Sequence, residues 1–428
     1  MKQLFSHLVL AAGVLSGGAA QGPAAAATNS LTLEALVADV LEHNPELNFY
    51  TAEVAAAKGE RRTASTRQNP EVATEIGRKS VRGGGLSDEG LAWSVALKQP
   101  FEWPGRIPLR KAIANRQVKL AELGYAQFKA ALASKARTLA YNVFASQQKA
   151  TAAREVADRF HALREVLVQR DPAGLTPALE LRIIESTEIT MQRDATQEEL
   201  AAQSALLELN QLRGQPFTNA LSIAEPKLLF GSAPSSDALI DAARTNNFEL
   251  MMRKAELEQQ GFKVSLARHE RYPTVSVGPF LSQERAGDTE NIVGVGVSIP
   301  VPLWNRNKGN IETAKARELQ AQTSFLITQL EVERKVTEQR LRYETKLNEM
   351  SKWRPDSIEQ FREAATLSDR HYRLGAVPVA TYVELQKQYL EAVEALLDTK
   401  REALEAGQQL ELLTGVALNG AAKEQKNQ

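Results

Sequence analysis

The sequence predicts a mainly α-helical chain with a small β part, written as two structural repeats. Three observations carry this. Motifs recur in order about two hundred positions apart, each copy holds a stretch of about 60 residues nearly free of glycine and proline, and each holds a short run in which apolar residues alternate with small or polar ones.

The chain has 428 residues, with Lys+Arg and Asp+Glu both at 52, so no basic surplus exists to gather nucleic acid. Cysteine is absent, which excludes disulfides, thiolate metal sites, cysteine nucleophiles and a lipid-anchoring cysteine. Met1-Lys2-Gln3, an apolar stretch from Leu4 to Leu15 and small residues ending in Ala25-Ala26-Ala27 read as a secretory signal over residues 1–27, cleaved after Ala27. Beyond Leu15 no stretch approaches the roughly 18 to 20 apolar residues a membrane-spanning helix needs. An exported chain without such a helix is periplasmic, secreted or an outer-membrane β-barrel, and only the barrel hides its membrane signal in weakly alternating strands.

The duplication runs through the mature chain. Asn44-Pro45-Glu46-Leu47 is answered by Asn247-Phe248-Glu249-Leu250, and Asn69-Pro70-Glu71-Val72 by Tyr272-Pro273-Thr274-Val275. Gln99-Pro100 to Arg106 is answered by Ile299-Pro300 to Arg306, with Trp103 and Trp304 before the arginines. Gly174-Leu175-Thr176-Pro177 matches Gly375-Ala376-Val377-Pro378, and Leu212-Arg213-Gly214 matches Leu413-Thr414-Gly415. The first repeat is placed at 28–230, the second at 231–415 and a flexible tail at 416–428.

Each copy begins with a helical stretch, about Glu46 to Arg67 and Leu250 to His269, that stops at a proline. A β-hairpin follows, about 71–100 and 274–301. Leu91, Trp93, Val95 and Leu97 alternate with Ala92, Ser94, Ala96 and Lys98, and Val293, Val295, Val297 and Ile299 alternate with Gly294, Gly296 and Ser298. The links at 83–88 and 286–289 are turn chemistry. An apolar face opposite a small or polar one fits lipid outside and water inside, and it also fits a soluble sheet packed on helices. Four strands cannot close a barrel with a lumen, so the membrane reading requires several chains.

Helical hairpins of about 107–213 and 307–414 come next, and from Leu109 and Asn310 onward only Gly124 and Pro355 interrupt the outgoing arms. Val156, Phe160, Leu163 and Leu167, and on the return arm Leu385, Tyr389, Ala392 and Leu396, mark a coiled-coil-like seam. The turns at 171–177 and 373–378 are the exposed tips.

This layout, with His371-Tyr372-Arg373-Leu374-Gly375, Val383-Glu384-Leu385-Gln386 and Tyr389-Leu390-Glu391-Ala392, resembles the TolC family of outer membrane factors over essentially all of the mature chain. The run from Gln99 to Arg106 looks more like the family's heavy-metal branch, the CzcC-like proteins. The resemblance implies a homotrimer in the outer membrane. Its four strands per chain would close a 12-stranded transmembrane β-barrel, and its long antiparallel coiled-coil helices would form an α-helical tunnel across the periplasm. It also implies contact of the tips, Gly174, Leu175, Thr176, Gly375, Ala376 and Val377, with the periplasmic adaptor (membrane fusion) protein of an inner-membrane RND pump. Glu180 and Glu384 match acidic positions that line the family's periplasmic mouth, and Tyr372 matches its latching aromatic. Thr381 stands where the family carries a further acid. Glu180 and Glu384 also read as ordinary helix-start acids favoured by the helix dipole, and Tyr372 as a packed tyrosine.

Catalytic chemistry is not visible. His7, His43, His161, His269 and His371 are scattered, and no nucleotide-binding loop, nucleophile elbow or zinc-protease motif occurs. The expectation is therefore a passive exit duct for divalent heavy-metal cations, without cofactor, metal site or nucleic-acid partner. A duct for drugs, siderophores or secreted proteins, and a periplasmic coiled-coil adaptor or scaffold, are the alternatives.

Overall fold

The computed structural model describes residues 31–83, 86–170, 178–217, 221–354 and 356–418. The signal segment 1–27, the first tip with Gly174, Leu175 and Thr176, Pro355 and the tail from 419 lie outside them. In the first copy the elements are α1 (Leu33–His43), α2 (Glu46–Ala64), β1 (Glu71–Gly83), β2 (Leu86–Phe101), α3 (Arg106–Arg170) and α4 (Ala178–Leu212). The second copy has α5 (Ser236–Asn246), α6 (Phe248–His269), β3 (Val275–Ala286), β4 (Asp288–Ser298), α7 (Lys308–Ser351), α8 (Ser357–Arg373) and α9 (Val379–Thr414). The order of types repeats, except that α3 is continuous where α7 and α8 are separate.

That difference follows from one residue. Gly124 leaves the 65 residues of α3 intact, since a helical glycine costs only about 1 kcal/mol, and the helix runs about 100 Å. In the second copy the single long helix expected from Asn310 to the tip is instead two helices, Lys308–Ser351 and Ser357–Arg373, and the sequence between them holds a proline, a residue that a helix interior does not tolerate. The segment joining the copies packs beside this break. Leu228, Phe230 and Ile358 share one apolar cluster, and Tyr343 Oη donates to the Gly231 carbonyl at 2.8 Å.

The short helices α1 and α5, not among the elements expected, each lay one apolar stripe on the long helices. Leu36 and Val40 pack on Leu132, Ala136 and Val143 of α3 and Leu209 of α4. Leu239 and Ala243 pack on Val332, Val336 and Tyr343 of α7 and Leu410 of α9. Nearer the tips, Val156, Phe160 and Leu163 form the expected seam on α3, with Leu167 at its margin. On α9 the seam departs from expectation. Its deepest line is Tyr382, Gln386, Tyr389, Val393 and Leu397, while Leu385 and Leu396 are only half-buried. Helix α9 packs on both α3 and α8, so its buried stripe is wider than a single coiled-coil seam and centred one residue away. Each of these apolar side chains contributes about 1.5–3 kcal/mol when fully buried.

The four strands form one antiparallel sheet in the order β1-β2-β3-β4. Both expected hairpins are present, with Thr74 opposite Val95 and Val277 opposite Val297. The copies are also joined strand to strand, Val95 lying opposite Leu281 and Phe101 opposite Val275. Among the described residues, β1 and β4 each keep one edge free of a strand partner.

Two of the recurring motifs meet in space. Asn44 donates from Nδ2 to the Leu212 carbonyl at 2.9 Å and accepts from the Glu46 amide at 2.9 Å. Asn247 donates to the Leu413 carbonyl at 3.0 Å and accepts from the Leu250 amide at 3.1 Å. Each asparagine thus starts one helix while holding the end of the return helix, which closes in the left-handed conformation at Gly214 and Gly415. We predict that Asn247→Ala, leaving a buried carbonyl unpaired and a helix uncapped, costs about 1–3 kcal/mol. Asn44→Ala costs a similar amount. Both lower the thermal midpoint of the helical circular dichroism, and an unchanged midpoint contradicts the joint.

Candidate functional site: the two faces of the sheet and the tip

The sheet register sorts side chains by chemistry. One face carries Val72 and Ile76 of β1, Leu91, Val95, Leu97 and Phe101 of β2, Leu281 of β3 and Val293, Val295 and Val297 of β4, all solvent-exposed in the isolated chain. Ile76 and Val293 are 81% and 77% exposed, and no element among the described residues covers them. From Leu91 to Phe101 the strand climbs about 33 Å, or roughly 25 Å at the usual tilt of membrane barrels. At its upper margin Trp93 Nε1 donates to Gln283 Oε1 at 3.1 Å, and Gln283 donates onward to Asn291 at 2.9 Å. The opposite face holds Ala73, Gly77, Ala92, Ser94, Ala96, Ser276, Ser282, Gly294, Gly296 and Ser298. Lys79 there lies between Glu284 and Glu290, at 2.9 and 2.8 Å. Its larger apolar side chains are Val81, Ile292 and Phe280, whose ring lies over Gly294. No helix among the described residues is long and apolar enough to cross a membrane.

Below the sheet a corner ties the copies together. Arg106, at the start of α3, donates to Thr274 Oγ1 at 3.0 Å, to the His269 carbonyl at 3.3 Å and to the Tyr272 carbonyl. Trp103 stacks on Tyr272 with centroids 4.4 Å apart.

At the far end α8 closes in a Schellman turn. The Gly375 amide donates to the Tyr372 carbonyl at 2.8 Å and the Ala376 amide to the His371 carbonyl at 2.9 Å, with Gly375 at φ 71°, a conformation that side chains disfavour. Gly375 and Ala376 are exposed and Val377 half-buried, leaving this tip open to a partner. Tyr372 stacks on Tyr382 at 5.3 Å, and Tyr382 packs on Phe160 of α3 at 5.1 Å. The Tyr372 hydroxyl reaches Glu180 Oε2, in the first turn of α4, at 3.5 Å. The structure therefore brings Glu180 and Tyr372 together within one chain. Glu384 is apart from them, exposed on α9 and accepting from Gln388 at 2.9 Å, and Thr381 is exposed nearby.

Beside this cluster lies a residue that sequence reasoning missed. Gln386 is fully buried, donates to the Ala365 carbonyl at 2.6 Å and to Ser368 at 3.2 Å, and accepts from Arg159 at 3.0 Å, joining α3, α8 and α9. Its signal was a glutamine on the apolar stripe of α9. The carboxylate of Glu188 is likewise buried and held by His161 at 2.8 Å and Arg164 at 3.2 Å.

A strand sheet with one apolar face and one of small or polar residues, continued by a helix of about 100 Å, is the layout of a channel-forming fold. Over 91% of this chain and 86% of the other, it superposes on the CmeC outer membrane channel of Campylobacter jejuni at TM-score 0.72 and 14% identity. Residues 239–416, the second copy, match the family described as outer membrane efflux protein. It is 25% identical over 400 residues to the pyoverdine export outer membrane protein OpmQ of Pseudomonas aeruginosa, covering 87% of this chain and 83% of that one. It is also 25% identical over 320 residues to the cobalt-zinc-cadmium resistance protein CzcC of Cupriavidus metallidurans, covering 72% of each.

Burial pushes the Tyr372 hydroxyl up to about 12, helped by the Glu180 carboxylate, and pushes Tyr343 up to about 12. Tyr141, Tyr382 and Tyr389 rise for the same first cause. Below about pH 10 these groups are neutral whether the chain is folded or not. Above it the unfolded chain releases protons that the folded one retains, so stability falls as pH rises toward 12. Phenolate absorbance is expected to show these five tyrosines ionising only as helical dichroism is lost. Titration of all 8 tyrosines near pH 10 with helices intact would contradict the packing.

Proposed function

We propose that this chain is one third of a homotrimeric duct in the outer membrane, passing divalent heavy-metal cations outward without acting on them. One observation carries the proposal: a sheet with an exposed apolar face and two open edges is attached to helices far longer than any globule needs. Three chains supply twelve strands, which removes every edge from the lipid, as the bilayer demands. The helices extend the barrel into the periplasm, where the tips meet an adaptor protein coupled to an inner-membrane RND pump that supplies the energy. Metal as cargo is supported by the likeness to CzcC and by the Gln99 to Arg106 run. A siderophore duct is the second reading, favoured by the longer aligned share with OpmQ.

At the mouth, three copies each of Glu180 and Glu384 concentrate negative potential and favour cations, while Tyr372 holds neighbouring helices closed. Glu180→Ala combined with Glu384→Ala is expected to lower the cation-to-anion permeability ratio of purified trimers in planar bilayers. An unchanged ratio removes the acidic gate. The cargo is tested in cells, where deletion of the gene is expected to lower tolerance to cobalt, zinc or cadmium. Unchanged metal tolerance together with lost siderophore export selects the second reading.

A further inference from the structure

The chain contains a seam between two related units, and its outer flanks are the two halves of another. Inside the chain, β2 of the first copy runs beside β3 of the second, and the corner beneath is closed by Arg106 on Thr274 and the Tyr272 carbonyl. The helices follow the same order, with α2 beside α3, α3 beside α6 and α6 beside α7, so that α2 and α7 end this row, α7 packing also on α5 and α9. The counterpart of the β2 edge is β4, and the counterpart of the β3 edge is β1. Among the described residues neither of these two outer edges has a strand partner.

Around β4 the fittings of the internal seam are present without their partner. β2 continues as strand to Phe101 because Val275 is opposite it, whereas β4 stops at Ser298 and the residues that answer Gln99 to Phe101 lie exposed. Arg306 answers Arg106, is exposed, and has no hydrogen bond or ion pair among the described residues. Glu71, which answers Thr274, is in the β1–β2 ladder opposite Lys98, but its carboxylate has no partner among the described residues. At the corner where the internal seam uses an arginine and a threonine, the outer flanks offer an arginine and a carboxylate. An arginine–carboxylate pair is a stronger, charge-assisted bond.

We propose that neighbouring copies of this chain join by repeating its internal seam. In this arrangement β4 extends along β1 of the next copy with Ile299 opposite Thr74 and Val301 opposite Val72, and Arg306 closes on Glu71 and the Asn69 carbonyl as Arg106 closes on Thr274 and the Tyr272 carbonyl. This rests on the trimeric reading above and adds to it the register and the clasp. The register also keeps the faces, since the apolar positions of β4 fall beside the apolar positions of β1. The two hairpins differ in stagger by two residues, Thr74 being opposite Val95 while Val277 is opposite Val297. The same-face alternative, Ile299 opposite Ile76, is therefore the one an experiment must exclude.

The wild-type chain has no cysteine, so engineered pairs report alone. Full-length protein purified from membranes in detergent is oxidised and run on non-reducing gels, with native mass spectrometry reading the assembly separately. Ile299→Cys with Thr74→Cys, or the adjacent pair Ser298→Cys with Glu75→Cys, is expected to yield covalent dimers and trimers, and Ile299→Cys with Ile76→Cys is not. A native trimer that cross-links only in the shifted pair, or in none, overturns the seam and leaves the trimer standing. A native monomer overturns both. Arg306→Glu and Glu71→Arg are each expected to lower the temperature at which trimers dissociate in SDS, and the double exchange to restore it. A double variant no better than the worse single one overturns the clasp.

Discussion

The rest of this structure depends on the rule that backbone N–H and C=O groups must be paired wherever water is absent. Within hydrocarbon an unpaired amide or carbonyl costs several kcal/mol, and a strand edge presents a whole row of them. A sheet with an apolar, outward-directed face and two open edges is therefore not a finished object in a bilayer. In the duct proposed above, the chain supplies strands of bilayer height and leaves their outermost hydrogen bonds to be made by its neighbours. The long helices inherit this arrangement, since β2 leads within a few residues into α3 and β4 into α7.

Duplication lets one chain meet that rule with few inventions. Each copy has the same closed circuit. A short helix packs on the two long ones, an asparagine turns the chain and grips the end of the return helix, and a hairpin follows. The backbone at the two asparagines is nearly superposable, with φ −65° and ψ 120° at Asn44 and φ −66° and ψ 122° at Asn247. Where the copies part, the cause is local. Proline divides the outgoing arm of the second copy, and the segment joining the copies supplies Leu228 and Phe230 beside the division. The cluster of α3, α8 and α9 is then tied by Gln386 and Arg159 as well as by aromatic packing, so the shorter helix α8 is held by directional bonds.

Much of this was legible in the sequence, and what escaped has physical reasons. Both hairpins, the helix stops at Pro70 and Pro273 and the long continuous α3 followed from period, proline and glycine, all local signals. The helices α1 and α5 were missed although Thr32 and Ser235 cap them, because each is only 11 residues and its stripe has meaning only against α3 or α7. On α9, family likeness brought Glu384 forward. Burial singles out Gln386 two residues on, a distinction that depends on which face α3 and α8 cover. Family likeness brought Glu180 and Tyr372 forward separately, and their meeting across 192 positions of chain is a tertiary fact.

The pairing of β2 with β3 was the least legible feature, and the reason bears on how such sheets hold their register. Alternation fixes which face a residue occupies, but a slip of two residues leaves every face unchanged. An apolar band against lipid therefore discriminates poorly between neighbouring same-face registers. Discrimination has to come from groups with direction. In the internal seam these are the Arg106 guanidinium on two carbonyls and a hydroxyl at the base, and the Trp93 to Gln283 hydrogen bond near the top. Close backbone contacts add to them, since a Cβ at Gly90 would fall 1.7 Å from the Arg285 carbonyl oxygen and one at Gly278 1.6 Å from that of Leu97. Two polar anchors and two glycines thus do what the hydrophobic pattern cannot. The position of an arginine below a sheet is accordingly more informative about its register than the valines within it.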